Sequence, residues 1–185
     1  ELTYTAHDLD DGLRSGMISA NMLEGMALWE ILVESVGWKK STLDDLSRHR
    51  IIRRLIGMEV SDLVHSTVQR IRESGVRNVE DVQRLPYNVV GFNEETYRRN
   101  RELKDFLFTN LYRHFRVMRM TVKAERIVTE LFHEYKTEPK ILPKHVQSQV
   151  NETGLERTIC DYIAGMTDRY AIEEYQKLFQ PDRLP

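Results

Sequence analysis

The feature that most constrains this chain is the spacing of its apolar residues, which recur at three- and four-residue intervals almost throughout, while strict alternation never lasts beyond a few positions. That pattern predicts an all-α protein. Leu2, Ala6, Leu9 and Leu13 form one helical stripe and Ser15-Gly16 supplies a stop, so a first helix ends near Arg14. Its beginning has no Ser, Thr, Asp or Asn cap, and Glu1 opens inside an already periodic pattern with no Met ahead of it, as expected of a piece cut from a longer protein in mid-helix. Ser19 is placed to cap a second helix reaching about Val36 and ended by Gly37, and Ser41 with Asp44 resembles a capping box for the next. From Arg48 to Ser74 a long amphipathic stretch carries Ile51, Ile52, Leu55, Ile56, Leu63, Val64, Val68 and Ile71 on one side, closed by Gly75. Residues 76–92 contain Pro86 and Gly91 and read as a connection with at most a short turn around Val79 to Arg84.

Asn93, followed by Glu94-Glu95, opens a further helix to about Tyr112, and a break near His114-Phe115 precedes another from Val117 through Glu134. Its expected core face is Val117, Met120, Ala124, Ile127, Val128, Leu131 and Phe132. Pro139 and Pro143 bracket a linker, and two final helices cover Leu155 to Ala164 and Asp168 to Phe179, with Thr167 as the cap between them. With 185 residues the chain can bury roughly 70% of its unfolded surface in a core, and no linker is long enough to require a second domain.

Several function classes fall on composition. A lone cysteine, Cys160, rules out an internal disulfide framework, and no CxxC or Cys/His zinc spacing occurs, so a reduced, cytoplasmic compartment is expected. Cys160 lies in the apolar run Ile159 to Ile163 and reads as a buried small hydrophobe. No apolar run approaches the roughly 20 residues of a membrane-spanning helix, and the run Glu1 to Tyr4 has neither the basic region nor the apolar core of a signal peptide, so membrane and export roles are not expected. The near balance of 27 Lys+Arg against 29 Asp+Glu argues against a protein that coats nucleic acid, although basic pairs such as Arg53-Arg54 and Arg98-Arg99 are local exceptions. GxSxG, Walker and GxGxxG motifs are absent.

Two polar clusters stand out. Tyr4, Asp8 and Asp11 share one helix face opposite the leucine stripe, within a run Tyr4 to Asp11 that also holds His7 and Asp10. Such a face is either simply solvated or a site, and adjacent acids without a nearby cation raise one another's pKa. In the second cluster Lys104, Phe108, Tyr112 and nearby Arg116 point one way, a combination of cations and rings that can stack a base and neutralise phosphate, or can instead finish a helix end. The histidines do not form a metal pair: no HExxH occurs, and His7-Asp8 is the only His-Asp doublet, with its members about 100° apart on a helix. His49, His65, His133 and His145 read as packing or surface residues.

The run from Tyr4 to Leu13, the run Leu107 to His114 followed by Arg116 to Met120, and the run Cys160 to Ala171 closely resemble bacterial deoxyguanosinetriphosphate triphosphohydrolase-like proteins of the HD-domain superfamily. The resemblance implies the C-terminal helical half of an HD-domain-type metallohydrolase that cleaves a dNTP to deoxynucleoside and triphosphate, using a divalent metal, Mg²⁺ or Mn²⁺. In such enzymes the last metal-binding Asp stands four residues before the tyrosine of the opening block, which places it just before Glu1, so no metal ligand or catalytic residue is expected in this chain and the chain alone should be inactive. By the same resemblance Tyr4 and Asp8 line the deoxyribose pocket, Asp8 accepting from the 3′-OH; Tyr112 is a second pocket tyrosine; Lys104 and Arg116 contact phosphate or base. Asp168 and Arg169 stay open between ligand contact and helix capping.

The other reading of the same residues is a non-catalytic helical module for oligomerisation or single-stranded nucleic-acid binding. The Arg48 to Ser74 helix shows Ile51, Leu55, Ile56 and Met58 on a side distinct from Ile52, Leu63 and Val64, so the full-length parent is expected to be at least a dimer, the alternative being that its N-terminal half covers this surface in cis.

Overall fold

Local capping chemistry fixes where most helices begin. In the computed structural model, which describes residues 2–39 and 42–182, the Asp44 carboxylate accepts from the Ser47 N–H at the start of a long helix, Asn93 does the same for Thr96, and Thr167 for Tyr170. The described residues are helical or in turns, with no strand among them, so the protein is all-α. None of their helices is long and apolar enough to cross a membrane. The structure divides into two compact units, the first ending at His114 and the second beginning at Phe115. That junction is the expected helix break, reached without any intervening linker.

The first unit contains α1 (Leu2–Arg14), α2 (Ala20–Leu23), α3 (Ala27–Val36), α4 (Asp45–Ser74), α5 (Val79–Gln83) and α6 (Glu94–Leu107), the last extended by a π-helical turn, Phe108–Tyr112. α1 packs on α4 and α6, and α3 on the same two helices. The core they enclose holds Ala6, Leu9, Leu23, Trp29, Leu32, Ile51, Leu55, Leu103 and Leu107. Gly37 and Gly75 end α3 and α4 at φ of 70° and 68°, a conformation that a side chain disfavours, as the sequence anticipated.

Three expectations for this unit need correction. The single helix from Ser19 to Val36 is two, because Gly25 turns the backbone to φ 86° and its N–H is taken by Glu30 Oε1 at 3.1 Å; Ser19 stands at the first cap position without a side-chain cap bond. Ser41 lies outside the described residues, as does Glu1, and Asp44 itself caps α4. The apolar stripe of α4 is buried only in its first half: Ile51, Ile52 and Leu55 are in the core, whereas Val64, Val68 and Ile71 are exposed because nothing among the described residues packs over them.

The second unit contains α7 (Phe115–Thr137), a 3₁₀ turn (Pro139–Ile141), α8 (Lys144–Gln147), α9 (Val150–Thr153), α10 (Leu155–Ala164) and α11 (Asp168–Phe179). Its core is Ile127, Leu131, Tyr135, Leu142, Val146 and Ile159. The expected linker between Pro139 and Pro143 is therefore part of the fold, since Leu142 and Val146 are buried at 2% and 3% exposure. On α7 the expected core face holds for Ile127 and Leu131, but Met120, Ala124 and Val128 are exposed. Cys160 is exposed too. It follows the fully buried Ile159 by one residue, and that 100° step carries it off the packed face of α10.

Candidate functional site

Along α1, Tyr4 and Asp8 on the side away from the leucine stripe, with Thr5 at the stripe's edge, form one wall of a groove of about 560 Å³ in the first unit. The other wall comes from α6 and its π-helical extension: Arg101, Lys104, Asp105, Leu107, Phe108 and Tyr112. Four of the sequence-derived site residues, Tyr4, Asp8, Lys104 and Tyr112, thus line one concave surface. Thr5 is buried at 5% exposure beneath it, while Tyr4 is 68% exposed, a large ring standing free over the opening.

The two walls are tied by one bond, in which the Tyr112 hydroxyl donates to the Asp8 carboxylate. That bond pushes the Tyr112 phenol up to about 12, with partial burial and the Asp8 charge adding to the effect. Tyr112 is consequently a neutral hydroxyl donor at physiological pH. The backbone widens where this is arranged: Arg113 N donates to Phe108 O at 3.2 Å, a five-residue step that sets Tyr112 beyond the regular turn of α6. The Arg113 guanidinium covers the Phe108 ring at 4.8 Å.

Charge in the groove is divided unevenly. Arg101 and Asp105 pair with each other at 3.3 Å, whereas Lys104 forms no ion pair among the described residues. Lys104 is an ammonium available to an anion.

Other residues singled out in the sequence lie elsewhere. Asp11 is exposed and is not in the groove. Asp10, in the run of acids expected to lack a cation, meets Arg48 at 3.2 Å, a charge contact without an aligned hydrogen bond. Arg116 belongs to α7 in the second unit, where its guanidinium lies 5.8 Å from the Phe115 ring centroid; because α6 ends before it, no continuous helix face runs from Lys104 to Arg116. His49, His65, His133 and His145 are all on the surface. Asp168 and Arg169 are exposed in the first turn of α11, capped by Thr167, and Arg169 pairs with Glu173 at 2.9 Å. No three His, Cys, Asp or Glu side chains among the described residues are placed to hold a metal ion, so the residues present here do not fit the metal that the resemblance implies.

Arg101, Asp105 and Thr5 were not singled out in the sequence, although Arg101 and Asp105 flank Lys104 on the same helix. A buried acid was also missed. Glu59 on α4 is 2% exposed and pushed up to about 7, chiefly by burial, against an opposing hydrogen bond from Asn100 and the charge of Lys104. Its signal was present in the spacing, since Glu59 continues the buried stripe Arg48, Ile52, Leu55 at helical intervals.

Residues 90–177 match the phosphohydrolase-associated domain. Across nearly its whole length the chain is similar to deoxyguanosinetriphosphate triphosphohydrolase-like proteins: 44% identical over 182 residues to that of Geobacter sulfurreducens, covering 98% of this chain and 47% of the relative. Against the Ralstonia pickettii protein it is 41% identical over 188 residues, with 100% and 47% covered, and against the Deinococcus deserti protein 38% over 180 residues, with 97% and 47% covered. The chain spans about half the length of these curated relatives. Over nearly all of its length the chain is thus similar to about half of each deoxyguanosinetriphosphate triphosphohydrolase-like relative, and its residues 90–177 match the phosphohydrolase-associated domain.

Proposed function

We propose that this chain provides the sugar-facing wall of a deoxynucleotide pocket in a protein that hydrolyses dNTPs to deoxynucleoside and triphosphate. The observation that carries the reading is the Asp8–Tyr112 pair in a groove that also holds the unpaired ammonium of Lys104 and the free ring of Tyr4. A sugar hydroxyl has the same donor chemistry as the Tyr112 phenol, so a deoxyribose 3′-OH can take its place on the Asp8 carboxylate. Tyr112 then remains beside the sugar as a neutral hydroxyl, and its ring with that of Tyr4 limits the room for a 2′-OH. Lys104 draws the anionic part of the ligand toward α6. Arg116 is kept as a further anion contact on the resemblance alone. The divalent metal of such a reaction would supply a Lewis acid and an activated water, and none of the described residues is assigned to that chemistry.

The deciding experiment is an assay of the full-length protein with each dNTP and its matching ribonucleotide, in Mg²⁺ or Mn²⁺, reading inorganic triphosphate. Release from one or more dNTPs that outpaces the matching ribonucleotide, and that falls in Asp8→Asn and Tyr112→Ala, is expected. Undiminished turnover in both variants would remove the groove from the reaction.

A further inference from the structure

Two acceptor oxygens and one donor at the cavity between α4 and α6 are buried without a hydrogen-bond partner: Glu59 Oε2, Asn100 Oδ1 and Arg99 Nε. Glu59 and Asn100 are 2% and 6% exposed and line this cavity of about 380 Å³. The Asn100 side chain acts on the Glu59 carboxyl in favour of its charged form, so a carboxyl group and a carboxamide are neighbours across the two helices. With Glu59 ionised both orphaned oxygens are acceptors, and each buried acceptor without a donor destabilises the fold. One proton removes both deficits. A proton on Oε2 turns that oxygen into a donor with Asn100 Oδ1 as a neighbouring acceptor, and leaves the other carboxyl oxygen as an acceptor for the Asn100 amide.

We propose that Glu59 is a proton-dependent positioning residue for the groove: in its neutral form it braces α4 against α6 and leaves the Lys104 charge free for an anionic ligand, and in its ionised form it becomes a buried counter-charge that weakens anion binding. Lys104 lies one helical turn beyond Asn100 on α6, and its charge acts on Glu59. The other charged groups around the cavity are Arg54, Asp62 and His65 from α4 and Arg99 from α6, while α3 contributes the apolar Leu28. Asp62 accepts from Asn93, His65 meets the Ser61 carbonyl, and Arg99 pairs with Glu95 through Nη2 while its Nε has no partner. The inference rests on the groove reading for its ligand, but not for the state of Glu59.

The test uses the full-length protein with ¹³C-labelled glutamate, the Glu59 carboxyl being assigned by its loss in Glu59→Gln. Its titration should centre near 7 rather than the ordinary 4.5, and should move higher in Lys104→Met, which removes the cation favouring the carboxylate. In parallel, tripolyphosphate affinity is measured from pH 6 to 8.5 for wild type and Glu59→Gln; their ratio cancels the titration of the ligand and of the histidines. The wild type should lose about threefold relative to Glu59→Gln as pH rises. A midpoint in the ordinary range overturns the neutral pair, and a pH-independent ratio or a midpoint unmoved in Lys104→Met overturns the coupling to the groove. Absence of tripolyphosphate and dNTP binding in both proteins at every pH instead counts against the groove reading, and the Lys104→Met titration still decides the coupling.

Discussion

Both units pair tyrosine hydroxyls with carboxylates, but they surround the pairs differently. In the second unit Tyr135, 1% exposed, donates to Glu174 at 3.3 Å and packs edge-on against Tyr162, and Tyr175 donates to Glu130 at 2.6 Å. Each of those acids is also met by a cation from its own helix, Lys177 at 3.0 Å and Arg126 at 2.7 Å. In the first unit Asp8 has the Tyr112 hydroxyl but no ion pair among the described residues, and Lys104 is left over across the groove. The difference teaches that the phenol–carboxylate bond does not mark a site by itself. Where every charge is matched locally the pair is part of the packing, and where an acid and a cation stand apart on a concave surface they can be matched by a ligand.

The largest expected effect breaks or sustains that contrast directly. Tyr135→Ala removes a ring enclosed by the second core and should cost about 3–5 kcal/mol, whereas Tyr112→Ala, at a ring 45% exposed, should cost less than about 1 kcal/mol. Urea unfolding of both variants measures this, and comparable losses would make Tyr112 a packing residue. Next comes activity. Asp8→Asn should lower kcat/KM for the preferred dNTP by about 10–100-fold, equivalent to about 1–3 kcal/mol for a lost hydrogen bond to the sugar, with unfolding unchanged. Glu174→Gln should leave kcat/KM untouched. Equal activity losses in the two would erase the distinction between the units.

How much of this was legible in the sequence follows from how local each feature is. Gly37, Gly75, Asn93 and Thr167 act within a turn of their own positions, and the helix ends they set were readable. Tyr4 and Asp8, four residues apart on one helix, were readable as a shared face for the same reason. The π-helical turn that seats Tyr112 has no residue period to betray it, and it ended the face on which Arg116 was expected. Burial was legible only where the packing partner was correctly assumed: α7 reads as amphipathic along its length, yet only its second half meets the turns and helices that follow it. Neighbours in sequence misled for Cys160, because its apolar run is not a helix face. Glu59 and Asn100 became a pair only through the crossing of α4 and α6, which no local rule supplies.

A smaller effect concerns stability against pH in the first unit. Glu59 is raised to about 7 in the fold from 4.5, so the folded state holds a proton that the unfolded state gives up between those values. Its contribution is fully present below pH 4.5 and is lost as pH rises through 7. Between pH 5 and pH 8 the wild type should lose about 2 kcal/mol that Glu59→Gln retains. Chemical unfolding at the two pH values reads the difference, and parallel losses in wild type and variant would show that the buried acid is not the cause.

The smallest effect isolates the Asp8–Tyr112 bond itself. Tyr112 titrates near 12 in the fold, because ionising it would break its donation to Asp8 and place two negative charges together; an ordinary tyrosine titrates at 10. The bond's contribution is therefore present below pH 10 and disappears as pH rises through 12, and since the ring is 45% exposed and screened by water, little change in overall stability accompanies it. Spectrophotometric titration of wild type against Tyr112→Phe gives the absorbance change of this one phenol. Its midpoint should fall toward 10 in Asp8→Asn, where the neighbouring charge is gone. It should also fall in wild type when a deoxynucleoside is added, because a 3′-OH on Asp8 takes the phenol's acceptor while the ring stays beside the sugar. A midpoint that ignores Asp8→Asn would mean that the bond is not formed in solution, and one that responds to the substitution but not to deoxynucleoside would place the sugar away from Asp8.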